Sequence, residues 1–340
     1  MHARCIRTIG ALGAEARHAL VMEGEGDPAL AGRRMREVSR PAFPSLSGAP
    51  LPGRLKRMAA AMAGYDLICT WGSGALDAAM AHTLFADVYK LPPLVHHEGL
   101  EGAPRSTLYR RLALGRIAAL VVPSREAEAV ALGRWQQPRQ RVRLIPEGVN
   151  ITAYAATPNR EAIPGLVKRR GELWLGAFAS SLAEIGPMME AIAALPDDWQ
   201  LVVVAEREEL HHAIVAESSQ RGIEHRVHVS HPLADVSRLI ILFDLFASTS
   251  DAEGVLGAMA AGQAVAAPRG GEAASLLSSE NGPYLADPAQ LADAIVALAG
   301  DKTLRRDVGE ANRKKARVEF DEKTMMERLR RLYRSLAGER

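Results

Sequence analysis

Short apolar runs alternate with longer segments of helical spacing along most of the chain, the pattern of parallel strands joined by crossover helices. In the first half, the runs Ala3–Ile9, His18–Met22, Tyr65–Thr70, Pro93–His96, Ala118–Pro123 and Arg141–Ile145 read as strands. Gly10-Ala11-Leu12-Gly13 reads as a turn after the first of these, and 23–52, rich in Gly, Pro, Arg and Ser, fits neither period. Helical spacing covers Asp77–Phe85 and Ser106–Leu114, and Ser124 stands where an N-cap belongs, with Glu126 and Glu128 just after it. The pattern restarts at Leu173–Phe178 and continues in the strands Leu201–Val204, Arg226–Val229 and Ala264–Ala267. Pro187–Leu195, Glu208–Arg221, Val255–Ala261 and Ala289–Ala299 are the intervening helices, while Leu239–Ala247 suits either strand or a helix–strand pair. Leu304–Ala337 is one long charged helical region. Its apolar stripe of Phe320, Met325, Leu329, Leu332, Tyr333 and Leu336 requires a surface to cover it.

A chain of 340 residues exceeds one hydrophobic core, since cores stop growing near ~250–300 residues. The polar stretch 151–170, with Pro158, Pro164 and Lys168-Arg169-Arg170, has linker composition. The expected architecture is α/β: two doubly wound Rossmann-like domains facing each other across a cleft. Residues 1–160 form the first, 161–318 the second, and 319–340 a terminal helix. Hydrophobic residues at 48% and charged residues at 24% exclude a disordered or collagen-like chain.

Charge is unevenly divided. Residues 1–160 carry 21 basic and 13 acidic side chains, whereas the rest of the chain carries 21 and 27. The basic half either meets an anionic partner or is a solvated Arg-rich surface. Nucleic acid is disfavoured, because aromatic interleaving is absent and the second half is acidic. No run approaches the ~18 uncharged apolar residues of a membrane span, the first residues lack a signal-peptide core, and Cys5 and Cys69 make no disulfide framework. The expected location is cytoplasmic, with a peripheral position on the inner face of the membrane as a further possibility. No metal is expected, since His96-His97-Glu98 lacks a third ligand at suitable spacing.

Five motifs occur in a telling order: Val121-Val122-Pro123-Ser124; Ile145-Pro146-Glu147-Gly148-Val149-Asn150; Trp174-Leu175-Gly176; Ser248-Thr249-Ser250-Asp251-Ala252-Glu253; and Ala258-Met259-Ala260-Ala261-Gly262. Together they resemble family 4 glycosyltransferases of the GT-B fold, from about Tyr65 to the C-terminus. The resemblance implies transfer of a sugar from a nucleotide-sugar donor to a glycan or lipid-linked acceptor, with retention and without a cofactor, in cell-surface polysaccharide or glycolipid synthesis. It implies donor binding by the second domain, acceptor binding by the first, and a terminal helix over 319–340 that crosses back to the first. His97 and Glu253 take the catalytic positions, and Gly254, Gly270, Gly271, Arg207 and Arg269 the donor side. Gly10, Gly13 and Glu98 fall on the acceptor side. In membrane-associated relatives a basic helix docks on anionic lipid, and Arg105, Arg110, Arg111 and Arg116 cluster on or near such a helix here; a solvated face is the alternative.

The chain departs from the family on one side. Aligned on Gly176 and Glu184, the family's donor-phosphate cations fall at Leu182 and Ile185. The usual Gly-x-Gly after the next strand is replaced by Ala205-Glu206-Arg207, and Gly257 precedes Ala258-Met259-Ala260 where the family has a glutamate. These departures motivate a second reading: an inactive GT-B protein that serves as a binding or assembly partner of an active transferase.

Overall fold

The computed structural model describes residues 3–22, 38–98, 106–160, 165–233, 235–248 and 252–338. The chain forms two compact units, one of Met1–Glu147 with Lys323–Arg340 and the other of Gly148–Glu322.

The first unit holds a four-stranded parallel sheet of β1 (Ile68–Trp71), β2 (Leu94–His97), β3 (Ala119–Val122) and β4 (Val142–Leu144), in the order β1-β2-β3-β4. Parallel neighbours need crossovers, supplied by helices Leu76–Tyr89, Thr107–Ala113 and Arg125–Gly133. Ser106 and Ser124 cap the last two, each accepting the backbone N–H three residues on. Because side chains alternate along a strand, Leu94, Leu120 and Val122 face one layer of helices, where Met58, Leu76 and Leu114 close the core. Val95, Ala119 and Val121 face the other way, onto Met325, Met326, Leu329 and Tyr333 of the terminal helix Glu322–Ala337. That helix covers a sheet face that would otherwise be bare.

The N-terminal segment differs from expectation. Ala3–Leu12 is an α-helix, not a strand followed by a turn. Arg4, Cys5 and Thr8 are buried and Leu12 is half-buried, a helical spacing where a strand would bury alternate residues. His18–Met22 contributes only a single bridge, between Ala19 and Ser39. A helix at Pro52–Met62 went unread in the sequence; Pro52 opens it, and Leu55, Met58, Ala59 and Met62 form its buried stripe.

The second unit is built on six parallel strands: β5 (Leu173–Ala179), β6 (Trp199–Ala205), β7 (Val227–Ser230), β8 (Leu245–Ala247), β9 (Val265–Pro268) and β10 (Leu285–Ala286), ordered β10-β9-β8-β5-β6-β7. The chain advances from β5 to β7, returns to lay β8 on the opposite side of β5, and proceeds outward from there. The order reverses between β5 and β8. Gly176 in β5 is required by packing, since a Cβ there would lie 2.1 Å from the Phe243 ring. Helix Leu182–Ala194 begins five residues before the expected Pro187, because Ser181 and Glu184 form a capping box upstream. The expected long terminal helix is two, Lys302–Glu319 and Glu322–Ala337. They part where Val149 N–H donates to Phe320 O at 2.7 Å and Glu322 N–H donates to Val149 O at 3.1 Å.

Leu329 is 1% exposed against the first sheet. Leu329→Ala is expected to lower stability by about 2–5 kcal/mol in urea unfolding, with amide protection lost in β2 and β3 but not in β5 and β6.

Candidate functional site

Open parallel sheets bind ligands at the carboxyl ends of their strands, at the point where strand order reverses. In the second unit that point lies where β5 ends at Ala179 and β8 at Ala247. β9, beside β8, runs into Arg269-Gly270-Gly271. Gly270 and Gly271 have φ of +87° and +83°, backbone that favours glycine, and nothing lies within 4 Å of either missing Cβ. Arg269 is exposed beside them, its backbone N–H tied to Ala286 O at 2.7 Å. Arg207 follows β6 and spans to the end of β5, with Nη2 3.3 Å from Ser180 O. Glu253 is exposed in the first turn of helix Ala252–Ala261, with Gly254 buried behind it. The fold therefore carries Arg207, Glu253, Gly254, Arg269, Gly270 and Gly271 to one edge of one sheet. Thr249, Ser250 and Asp251 of the neighbouring motif lie outside the described residues.

Three of the positions that depart from the resemblance, Ile185, Ala205 and Gly257, are packed into the interior of this unit. Ile185 is fully buried in the core on one side of the sheet, and Leu182 is half-buried against it. Ala205, the last residue of β6, is fully buried. Gly257 faces Ile240 and Tyr154; a Cβ there would lie 2.7 Å from Ile240 Cδ1 and 2.9 Å from Tyr154 Oη. A charged side chain at 185 or 257 would displace core atoms, so these sites cannot simply be restored to the family residues.

In the first unit, the alternation of β2 sends its two histidines to opposite faces. His97 shares the face of Val95 and lies under the terminal helix, 4% exposed, with Nε2 2.7 Å from the Tyr333 hydroxyl. Trp71, one strand over, stacks on its ring at 3.7 Å between centroids. His96 turns the other way, with Nδ1 2.8 Å from Thr70 Oγ1 and Nε2 3.4 Å from Glu98 Oε2. Glu98 has a fully buried side chain, and the same Oε2 accepts from Arg110, whose guanidinium sits 4.8 Å above Trp135. The other oxygen, Oε1, is buried and has no hydrogen-bond partner among the described residues. Gly10 lies within the first helix and Gly13 just past its end, at φ +45°. Arg110, Trp71 and Tyr333 were not assigned to this site from sequence. Period-two alternation along Leu94–His97 could have separated the histidines, but their partners come from other elements.

The basic cluster does not form one solvated face. Arg110 points inward to Glu98, Arg111 donates to Arg134 O at 3.1 Å, and Arg116 pairs with Asp87. Arg105 lies outside the described residues. Among the described residues, no group of three or more His, Cys, Asp or Glu is placed to hold a metal.

Burial pushes both thiols, Cys5 and Cys69, up to about 12, and for Cys69 a hydrogen bond with Tyr333 offsets this only in part. Burial, with Cys69 nearby, holds the Tyr333 phenol well above its ordinary range. None of the three is a nucleophile near neutrality.

Residues 172–301 match the family described as glycosyl transferases group 1. That stretch lies wholly within the second unit. Among solved structures, HepE from Anabaena with UDP bound is 19% identical, with 98% of this chain and 96% of HepE covered at a TM-score of 0.75. HepE has also been solved with UDP-glucose. A glycosyltransferase from Rickettsia africae is 14% identical over 93% of this chain and 89% of its own, at a TM-score of 0.68. WaaG, a glycosyltransferase involved in lipopolysaccharide biosynthesis, is 16% identical over 98% and 95%, at 0.62. No curated protein sequence matches the chain. The two parallel α/β sheets are those of the GT-B fold, as the five motifs led us to expect.

Two measurements follow from this geometry. Ile185→Lys is expected to cost about 3–5 kcal/mol by placing an unpaired cation in the core, read as a fall in urea midpoint, without any gain in nucleotide affinity. The thiols of buried Cys5 and half-buried Cys69 bind protons more tightly folded than unfolded, so their contribution to stability is complete below pH 9.0 and declines as pH rises toward about 12. Iodoacetamide at pH 8 should accordingly modify neither cysteine in the native protein and both in urea.

Proposed function

We propose that the protein is a retaining glycosyltransferase that takes a nucleotide-sugar, of the uridine diphosphate class, and passes its sugar to a glycan or lipid-linked acceptor. The observation that carries this reading is the open Gly270-Gly271 turn beside Arg269, on the edge where strand order reverses, in the unit that matches the group 1 family. UDP in HepE supports the choice of nucleotide, and the role of WaaG supports a cell-surface glycan or glycolipid as the product.

A leaving diphosphate gathers negative charge, and preorganised donors at that point are worth roughly 2.7–4 kcal/mol each. Exposed Gly270 and Gly271 offer backbone amides, and Arg269 and Arg207 take over the neutralisation that the family assigns to the positions of Leu182 and Ile185. Glu253 accepts from hydroxyls of the ribose or the transferred sugar. In the first unit Glu98 Oε1 accepts from an acceptor hydroxyl, and His97, fixed by Tyr333 and Trp71, borders the reacting sugar.

One set of observations favours a second reading. Ile185 is sealed in the core and Gly257 is packed against Ile240 and Tyr154, so two groups common in active relatives have been replaced by packing. A protein that binds donor but supports assembly of another transferase would show this pattern.

Calorimetry against UDP-, GDP- and ADP-sugars at millimolar concentration tests the proposal. Binding of a UDP-sugar is expected, weakened about tenfold or more by Arg269→Ala. Absence of binding for every donor sinks it. Donor binding without UDP release across a panel of glycan and lipid acceptors would select the second reading.

A further inference from the structure

Of the four tryptophans in the chain three are buried: Trp135 (7% exposed), Trp174 (0%) and Trp199 (2%). Trp71 is the exception. It is the last residue of β1 and stays half-buried, at the carboxyl edge where an open parallel sheet receives a ligand. Its cross-strand neighbour is His97, and the two rings lie 3.7 Å apart between centroids with 13° between their planes. No water fits between rings at that distance, so what Trp71 exposes is its other face and its rim. Side chains on adjacent strands succeed one another every ~4.8 Å across a sheet. β1 is the outermost strand, paired with β2 alone. The place beyond the indole, where a further strand would put a side chain, therefore belongs to no strand of this sheet.

The indole is braced from behind. Tyr333 meets the His97 ring edge-on, at 5.9 Å and 73°, and its hydroxyl lies 2.7 Å from His97 Nε2. The chain leaves β1 through Gly72, at φ +66° and ψ −179°, a conformation open essentially to glycine alone. Gly72 N–H donates to His97 O at 2.8 Å, which pins the turn to the neighbouring strand. Ser73, Gly74 and Ala75 follow as a single turn of 3-10 helix, and nothing lies within 4 Å of the missing Cβ of exposed Gly74. Small residues thus keep the loop low beside a flat ring that is already held in place. A ligand covering such a preorganised surface loses little to ordering the protein.

The shape selects among ligands. A simple alcohol or an open-chain polyol has nothing flat to lay on an indole. A pyranose has: the C–H bonds of one face make an apolar patch of about the ring's own size, while its hydroxyls point outward from the rim to water and to groups such as Ser73. A nucleobase would also stack, but the unit that matches the group 1 family, and carries the Arg269-Gly270-Gly271 turn, is the second.

We propose that Trp71 is a specificity-determining residue, the platform on which a pyranose unit of the acceptor stacks, so that the acceptor is a saccharide and not a simple alcohol or polyol. The inference rests on the transferase reading above and narrows its acceptor.

Because Trp71 alone among the four tryptophans is not buried, quenching of intrinsic fluorescence by acrylamide reads it directly. The full-length protein is titrated, without nucleotide, with maltose, cellobiose, lactose and chitobiose. At least one is expected to shift emission to the blue and shield the indole from acrylamide, with glycerol and sorbitol at equal concentration doing neither. Saturation-transfer NMR on the C–H protons of that saccharide follows binding once the indole is removed. Trp71→Ala should weaken it about tenfold, and Trp71→Leu, which fills the place without a flat face, should do the same. Absence of shielding by every saccharide overturns the proposal, as does undiminished binding by either folded variant. Shielding by uridine in place of a saccharide assigns the indole to a nucleobase and overturns it as well. Donor calorimetry separates the two readings: donor binding without saccharide shielding refutes the platform alone, and shielding without donor binding sinks the transferase reading.

Discussion

Every strand in both sheets runs parallel to its neighbours, and the rest of the molecule is arranged around that constraint. A parallel pair cannot be closed by a tight turn, so each strand is followed by a crossover, and all strand ends of one sheet gather on one edge. Residues far apart in sequence, Arg207, Glu253 and Arg269, are thereby delivered to a common edge. The same constraint leaves each sheet two faces to cover. In the first unit the crossover helices cover one, and the other is closed by the first helix and by residues more than three hundred positions later, where Arg330 and Arg334 reach Glu15 at 3.2 and 2.9 Å.

Closing the second face from the terminal helix has a chemical consequence. Tyr333 does not merely fill space beside Val95 and Val121; its hydroxyl engages His97. The imidazole at the carboxyl end of β2 is therefore oriented by the same helix that stabilises the sheet. On the opposite face, Glu98, Arg110, His96 and Thr70 make a buried polar set that leaves one carboxylate oxygen unmatched.

In the second unit, positions that depart from the family motifs are held in place by packing. Ile185 belongs to an apolar core with Leu175, Met188 and Leu201. Gly257 lets helix Ala252–Ala261 approach Ile240 and Tyr154. Once a charged position has been absorbed into a core, reverting it costs both the burial of the charge and the loss of the packing. Arg207 and Arg269 stay exposed on the same edge.

Much of the fold was legible in the sequence, because buried strands such as Leu201–Val204 and capped helices such as the one after Ser124 carry their signals within a few residues. The motif order supplied the GT-B architecture in the same way. The first helix was misread as a strand because two of its buried residues, Arg4 and Thr8, are polar, so the pattern of apolar residues does not mark the face that packs. The two-helix terminus was likewise hidden, since the break at Phe320 depends on pairing with Val149, 171 positions away. For the site, the sequence by itself determined which residues stand at strand ends: His97, Glu98, Glu253 and the Arg269-Gly270-Gly271 turn. Only the tertiary structure decided that Tyr333 and Trp71 hold His97, that Arg110 turns inward to Glu98, and that Ile185 is sealed from solvent. Strand ends follow from local periodicity, whereas the partners of a buried charge come from elements that only the packing of the whole unit brings together.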